Sequence, residues 1–172
     1  AQATLRDGQW HHLAAVYDSH QARATLYIDG AALIGTYSGA MSGSGSLSKT
    51  GIGRLSLSGS SSYNGATTVS AGELNLSGGS IANSAVTVAS GASLSGYGSV
   101  GTIGGAGAIN PGNSPGILTT PQVNPSGGTT FNFEMTGTAP TNNASNSVND
   151  LIQITGGTPF SQALAAGNGI NI

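Results

Sequence analysis

The side chains able to do chemistry are few: three His and six acids in 172 residues, with no Cys. His11, His12 and His20 are the candidate transition-metal ligands. His11 and His12 are adjacent, so on a strand they point to opposite faces. A zinc site needs three or four convergent ligands, and histidines packed or solvated beside Trp10 are the expected outcome. Asp7, Asp18 and Asp29 could offer oxygens to Ca²⁺, but each sits at an expected turn, where Asp serves the backbone. Glycoside hydrolysis needs two carboxylates facing one sugar bond. After Arg54 the acids are Glu73, Glu134 and Asp150. Glu134 and Asp150 are the nearest pair, at a sequence spacing of 150 − 134 = 16. A lyase would need a cationic base, and no Lys or Arg follows Arg54. Ser-His-Asp catalysis fails likewise, because every His lies before residue 21. Gly104-Gly105-Ala106-Gly107 is a scrap of phosphate-loop pattern without a βαβ context. Tyr63, Tyr97, Phe131 and Phe133 could line a sugar-stacking strip, although packing inside a core is the commoner use. The expectation is no catalytic residue, no cofactor-binding residue, no metal site and no cofactor.

Charge narrows the partners. Charged residues make up 6% of the chain, against about one quarter in an average soluble domain. Lys and Arg total four and the net charge is −2, so no basic face can be assembled for nucleic-acid phosphates or anionic lipid. No apolar run is long enough to span a membrane as a helix. The chain begins at Ala1-Gln2-Ala3 without a signal-peptide pattern and is expected to be a piece of a longer protein. Its 29 Gly, with abundant Ser, Thr and Asn, suit short strands and tight turns.

The elements that would position any site divide near residue 40. Residues 1–37 hold the only Trp, all the His and much of the charge. They read as antiparallel strands: 12–17, 24–28 and 32–37, with Asp29-Gly30 as the tip of a hairpin pairing Leu26–Ile28 with Leu33–Thr36. The run Asp7-Gly8-Gln9-Trp10-His11-His12-Leu13-Ala14-Ala15-Val16-Tyr17-Asp18, followed by Leu26-Tyr27-Ile28-Asp29-Gly30, resembles the closing strands of a laminin-G-like, concanavalin-A-like jelly roll. The strands that would complete that sandwich are missing. Members of the family bind glycans or Ca²⁺ through loops outside this stretch. Residues 38–48 read as a Gly/Ser-rich linker or a first loose rung.

Residues 49–172 repeat. Gly53-Arg54-Leu55-Ser56-Leu57-Ser58-Gly59 recurs as Gly72-Glu73-Leu74-Asn75-Leu76-Ser77-Gly78, at an offset of 72 − 53 = 19. Thr68-Val69 recurs as Thr87-Val88, again 87 − 68 = 19, and Gly91–Gly96 is a degenerate third copy. A period near 20 with short strands marks a solenoid. Alternation predicts a core of Leu55, Leu57, Val69, Leu74, Leu76, Val86, Val88 and Leu94. It also sets Arg54 and Glu73 on the outer face of adjacent coils as an inter-rung charge pair, with Ser56 and Asn75 beside them.

The stretch 45–59, with Tyr63-Asn64-Gly65-Ala66-Thr67-Thr68-Val69 and Ala71-Gly72-Glu73-Leu74, resembles the autotransporter-associated β-strand repeat. Pro111-Gly112-Asn113-Ser114-Pro115-Gly116 resembles a turn common in such passengers, and Asn149–Gly156 a later rung. The resemblance implies an all-β fold: a right-handed parallel β-helix, preceded here by the partial antiparallel jelly-roll segment. It implies a bacterial protein that is secreted or held at the cell surface. The expected function is a non-enzymatic structural or display segment of a passenger or adhesin-like protein. Its partners would be surface glycans or a host or neighbouring cell surface met by the full-length protein. The second reading is a glycan-binding module acting through the jelly-roll part; the third, a polysaccharide-degrading β-helix enzyme, ranks last.

Overall fold

The computed structural model describes residues 13–18, 23–28, 34–112, 116–134, 149–156 and 169–171. Gly-punctuated runs of three to nine residues form its strands, as expected where turn residues interrupt every short apolar pattern. In chain order they are β1 (Leu13–Asp18), β2 (Arg23–Ile28), β3 (Ile34–Tyr37), β4 (Ser46–Lys49), β5 (Arg54–Leu57), β6 (Thr67–Val69), β7 (Glu73–Ile81) and β8 (Val86–Val88). There follow β9 (Ser93–Val100), β10 (Ile103–Gly105), β11 (Ala108–Pro111), β12 (Ile117–Thr120), β13 (Val123–Pro125), β14 (Thr130–Asn132), β15 (Leu151–Ile154) and β16 (Gly169–Asn171). The chain is all-β, and its parallel sheets form a β-solenoid of about five turns.

One sheet has the order β1-β2-β4-β6-β8-β10-β13; the other runs β16-β14-β11-β9-β7-β5-β3. β12 and β15 branch from the second sheet, where β12 pairs with both β9 and β15. The rung length shows in the register. Arg54 stands opposite Glu73, Leu55 opposite Leu74 and Leu57 opposite Leu76. Leu94 is next above Leu74, then Ile109, then Phe131. Stacking places each of these side chains on its neighbour at one strand spacing, about 4.8 Å. Leu55, Leu57, Val69, Leu74, Leu76, Val86, Val88 and Leu94 are all buried in this core, joined by Ile81, Val100, Ile103, Ile109, Leu118, Val123 and Phe131.

β7 and β9 bend midway, and the register between them shifts between Ser77 and Ser80. Gly96 makes the close approach at that bend: its φ is +93°, and a Cβ there would collide with the Leu76 carbonyl oxygen. An L side chain could satisfy neither condition.

The N-terminal strands differ from the expectation. The antiparallel pair is β1 with β2, from Leu13 opposite Ile28 to Asp18 opposite Arg23. β2 pairs on its other side, in parallel, with β4, and β3 pairs in parallel with β5. The expected hairpin between Leu26–Ile28 and Leu33–Thr36 is therefore absent: its two arms lie in different sheets. The physical reason is that an Asp-Gly signal specifies a tight change of direction but not a partner. Asp29-Gly30 itself lies outside the described residues. Stacking thus already includes residues 23–28 and 34–37, and the end of the Gly/Ser-rich stretch 38–48 contributes to β4.

Candidate functional site

Among the described residues, polar and charged side chains of adjacent rungs are linked around Arg54 and Glu73. β5 and β7 hold these residues directly opposite one another. Arg54 Nε donates to Glu73 Oε2 at 2.7 Å. The other carboxylate oxygen, Glu73 Oε1, accepts a hydrogen bond from Ser95 Oγ on the next rung. Asn75 Nδ2 donates to the same Ser95 Oγ at 2.7 Å, and Ser56 Oγ makes a long 3.5 Å contact to Asn75 Oδ1. Further along the column Asn132 Nδ2 donates to Asn110 Oδ1 at 2.6 Å. The result is a polar ladder running along the solenoid axis. Sequence alternation places Ser56 and Asn75 on the outer face, yet both are buried, as is Ser95. Each has an in-register neighbour above and below, and a small side chain in such a column is covered by its neighbours.

The ion pair is half open, with 45% of the Arg54 side chain and 23% of Glu73 exposed. Exposed pairs are worth about 0.2–1 kcal/mol. A double-mutant cycle of Arg54→Ala and Glu73→Ala should give a coupling energy in that range, falling at high salt. A coupling above about 2 kcal/mol would make the pair a major source of stability rather than a register mark.

Behind the ladder sits Lys49, which sequence reasoning passed over. It is only 4% exposed and occupies a core position, in register with Val69. Its ammonium donates to three carbonyls: Thr50 O at 3.0 Å, Gly51 O at 2.7 Å and Ala71 O at 3.1 Å. An ammonium has three donors, so the group is satisfied, and it ties the turn of one rung to the turn of the next. Burial lowers the Lys49 pKa, and the nearby Glu73 carboxylate acts in the opposite sense. The signal that could have found it is the spacing between Leu47-Ser48-Lys49 and Thr67-Thr68-Val69, which sets Lys49 on Val69.

A second buried polar group lies on the adjoining side. Tyr63 Oη and Thr67 Oγ1 are 2.5 Å apart, Thr67 Oγ1 and Ser84 Oγ 2.7 Å, and Ser84 Oγ donates to Gly65 O at 2.7 Å. Thr67 and Ser84 are fully buried. Burial raises the Tyr63 pKa, against the effect of its hydroxyl partners.

His11, His12, His20, Asp7, Asp29 and Trp10 lie outside the described residues. Among the described residues no three His, Cys, Asp or Glu side chains come together. Glu134 and Asp150 do meet, and the contact between them runs through the Glu134 backbone, whose N–H donates to Asp150 Oδ2 at 2.8 Å. Tyr63 and Phe131 are core residues and Phe133 packs against the core, whereas Tyr97 is exposed. They form no aromatic strip. Among the described residues no helix is long and apolar enough to cross a membrane.

In-register rungs, a Leu/Val/Ile core and a polar ladder make the described chain a β-solenoid repeat protein. The family model for the passenger-associated-transport-repeat matches residues 47–76, the span from β4 through the middle of β7 that holds Lys49, Arg54 and Glu73. This match and the solenoid fold fit an autotransporter passenger repeat, a kind of segment that belongs to a secreted or cell-surface setting. No curated protein and no solved structure matches the chain.

Proposed function

We propose that this chain is a non-enzymatic display segment of a bacterial passenger or adhesin-like protein, a stiff spacer that holds other parts of the molecule away from the cell. The observation that carries the reading is continuous rung-to-rung pairing through the matched repeat, from β3 to β11. Each rung adds length while contacting only its neighbours. Two of the three acids that follow Arg54 are also in structural use: Glu73 binds Arg54 and Ser95, and Asp150 accepts from backbone amides. With so few ionisable groups, the surface responds little to salt or pH.

A second reading, glycan binding, has one observation in its favour. A groove of about 450 Å³ lies at the N-terminal end of the rungs, lined by Tyr37, Met41, Leu47, Tyr63 and the Gly/Ser stretch 42–46. Its volume lies within the range typical of small-ligand sites.

The test places the full chain between an outer-membrane anchor and an N-terminal epitope. The expected result is an epitope reachable by antibody on intact cells. The purified chain should release no reducing sugar from pectin, glucan or chitin and give no signal on a glycan array. Sugar release abolished by Glu134→Gln would overturn the display reading. Array binding lost on Tyr37→Ala would favour the groove.

A further inference from the structure

Near the C-terminal end of the described rungs one side chain joins two strand ends that are far apart in sequence, Gly116 and Glu134. Asp150 is 8% exposed. Its Oδ1 accepts from the Gly116 N–H at 3.1 Å, and its Oδ2 accepts from the Glu134 N–H at 2.8 Å. The backbone repeats the same connections. Asp150 N–H donates to Glu134 O at 2.9 Å, and Leu151 N–H donates to Gly116 O at 3.0 Å. From there β12 and β15 run in parallel, Ile117 opposite Leu151 through Thr120 opposite Ile154. Gly112 completes the seat: its φ is +88°, and a Cβ there would collide with Asp150 Oδ1.

We infer that Asp150 is a latch that ties Gly116 to Glu134 and fixes the register of β12 on β15. A carboxylate suits this use, because its two oxygens can each take one backbone amide and charge-assisted hydrogen bonds are the stronger kind. Gly112 and Gly116, from the Pro-Gly-rich run, and the later run 149–156 are thereby joined as one structural unit. Asp150 itself makes the contacts to Gly116 and Glu134, so the latch predicts that they survive a change of sequence in 135–148.

Amide hydrogen exchange on the full chain tests this. In Asp150→Ala the Gly116 and Glu134 amides should exchange at least about tenfold faster, and the β12 and β15 amides should follow, while Leu74 and Leu76 keep their protection. Asp150→Asn keeps one acceptor oxygen, so one of the two amides should stay protected; this variant decides the matter if Asp150→Ala fails to fold. Gly112→Ala should reproduce the Asp150→Ala pattern. Glu134→Gln should change nothing, since the latch uses the Glu134 backbone and not its side chain. Replacing 135–148 by a Gly/Ser segment of equal length should leave Gly116 and Glu134 protected. Wild-type protection in both Asp150 variants, or loss of protection in Glu134→Gln or in the segment replacement, would overturn the inference.

Discussion

Leu74→Asp should unfold the middle of the solenoid, with a loss above about 4 kcal/mol, the range reached when an unpaired charge is buried. Leu74 is 0% exposed and stands in register between Leu55 and Leu94. A carboxylate there has apolar neighbours above, below and across the core, and the strand backbone around it is already paired. It must either stay charged without a partner or be protonated, and both cost stability. Thr68→Asp is the control. Thr68 is exposed on β6 between buried Thr67 and Val69, so its replacement should shift stability by no more than about 0.5 kcal/mol. Urea unfolding midpoints compare the two. Equal midpoints would mean that the alternation along the strands has been assigned to the wrong faces.

The second large effect is expected at Lys49. Lys49→Glu sets a carboxylate against the carbonyl oxygens of Thr50, Gly51 and Ala71, which now accept from the ammonium. Repulsion replaces three charge-assisted bonds at a buried position, for a loss of about 3–5 kcal/mol. Lys49→Met keeps the packing of the aliphatic stem and removes only the donors. Its loss should be smaller, about 1–3 kcal/mol, set by how far the freed carbonyls can reach water. Thermal unfolding should rank wild type above Lys49→Met above Lys49→Glu. Lys49→Met at or above wild-type stability would show that dehydration of the ammonium outweighs its three bonds, as happens for some buried ion pairs.

How much of this is legible in the sequence depends on the interaction. The core columns and the facing of Arg54 and Glu73 follow from matched heptapeptides, because an offset that recurs unchanged is itself a statement about register. The rung length is harder to read beyond them. From Ser93 to Ala108 the offset is 108 − 93 = 15, and from Ala108 to Thr130 it is 130 − 108 = 22. Short Gly-rich turns compress one rung and longer turns expand the next, so no fixed period survives. Polar residues at core positions escape for a related reason. Lys49 and Thr67 look like surface residues by type, and their stacking on apolar neighbours shows only after the rungs are aligned. Ser56 and Asn75 err the other way: alternation gives the face correctly but says nothing about cover from the rungs above and below. The Asp150 latch joins residues across two intervening stretches of unequal length, which no local pattern encodes.

The central claim is that residues about one period apart are neighbours on parallel strands, and engineered disulfides test it directly, since the chain has no Cys to interfere. Thr68 and Thr87 are both exposed and stand opposite each other on β6 and β8. At one strand spacing their Cα atoms fall in the range a disulfide can bridge. Gly104 stands one rung further on, opposite Thr87, about two spacings from Thr68 and beyond disulfide reach. Under mild oxidation the double variant Thr68→Cys with Thr87→Cys should form an intramolecular crosslink nearly completely, and Thr68→Cys with Gly104→Cys should form none. Failure of the first pair to close in folded protein, or closure of the second as readily as the first, would contradict the solenoid.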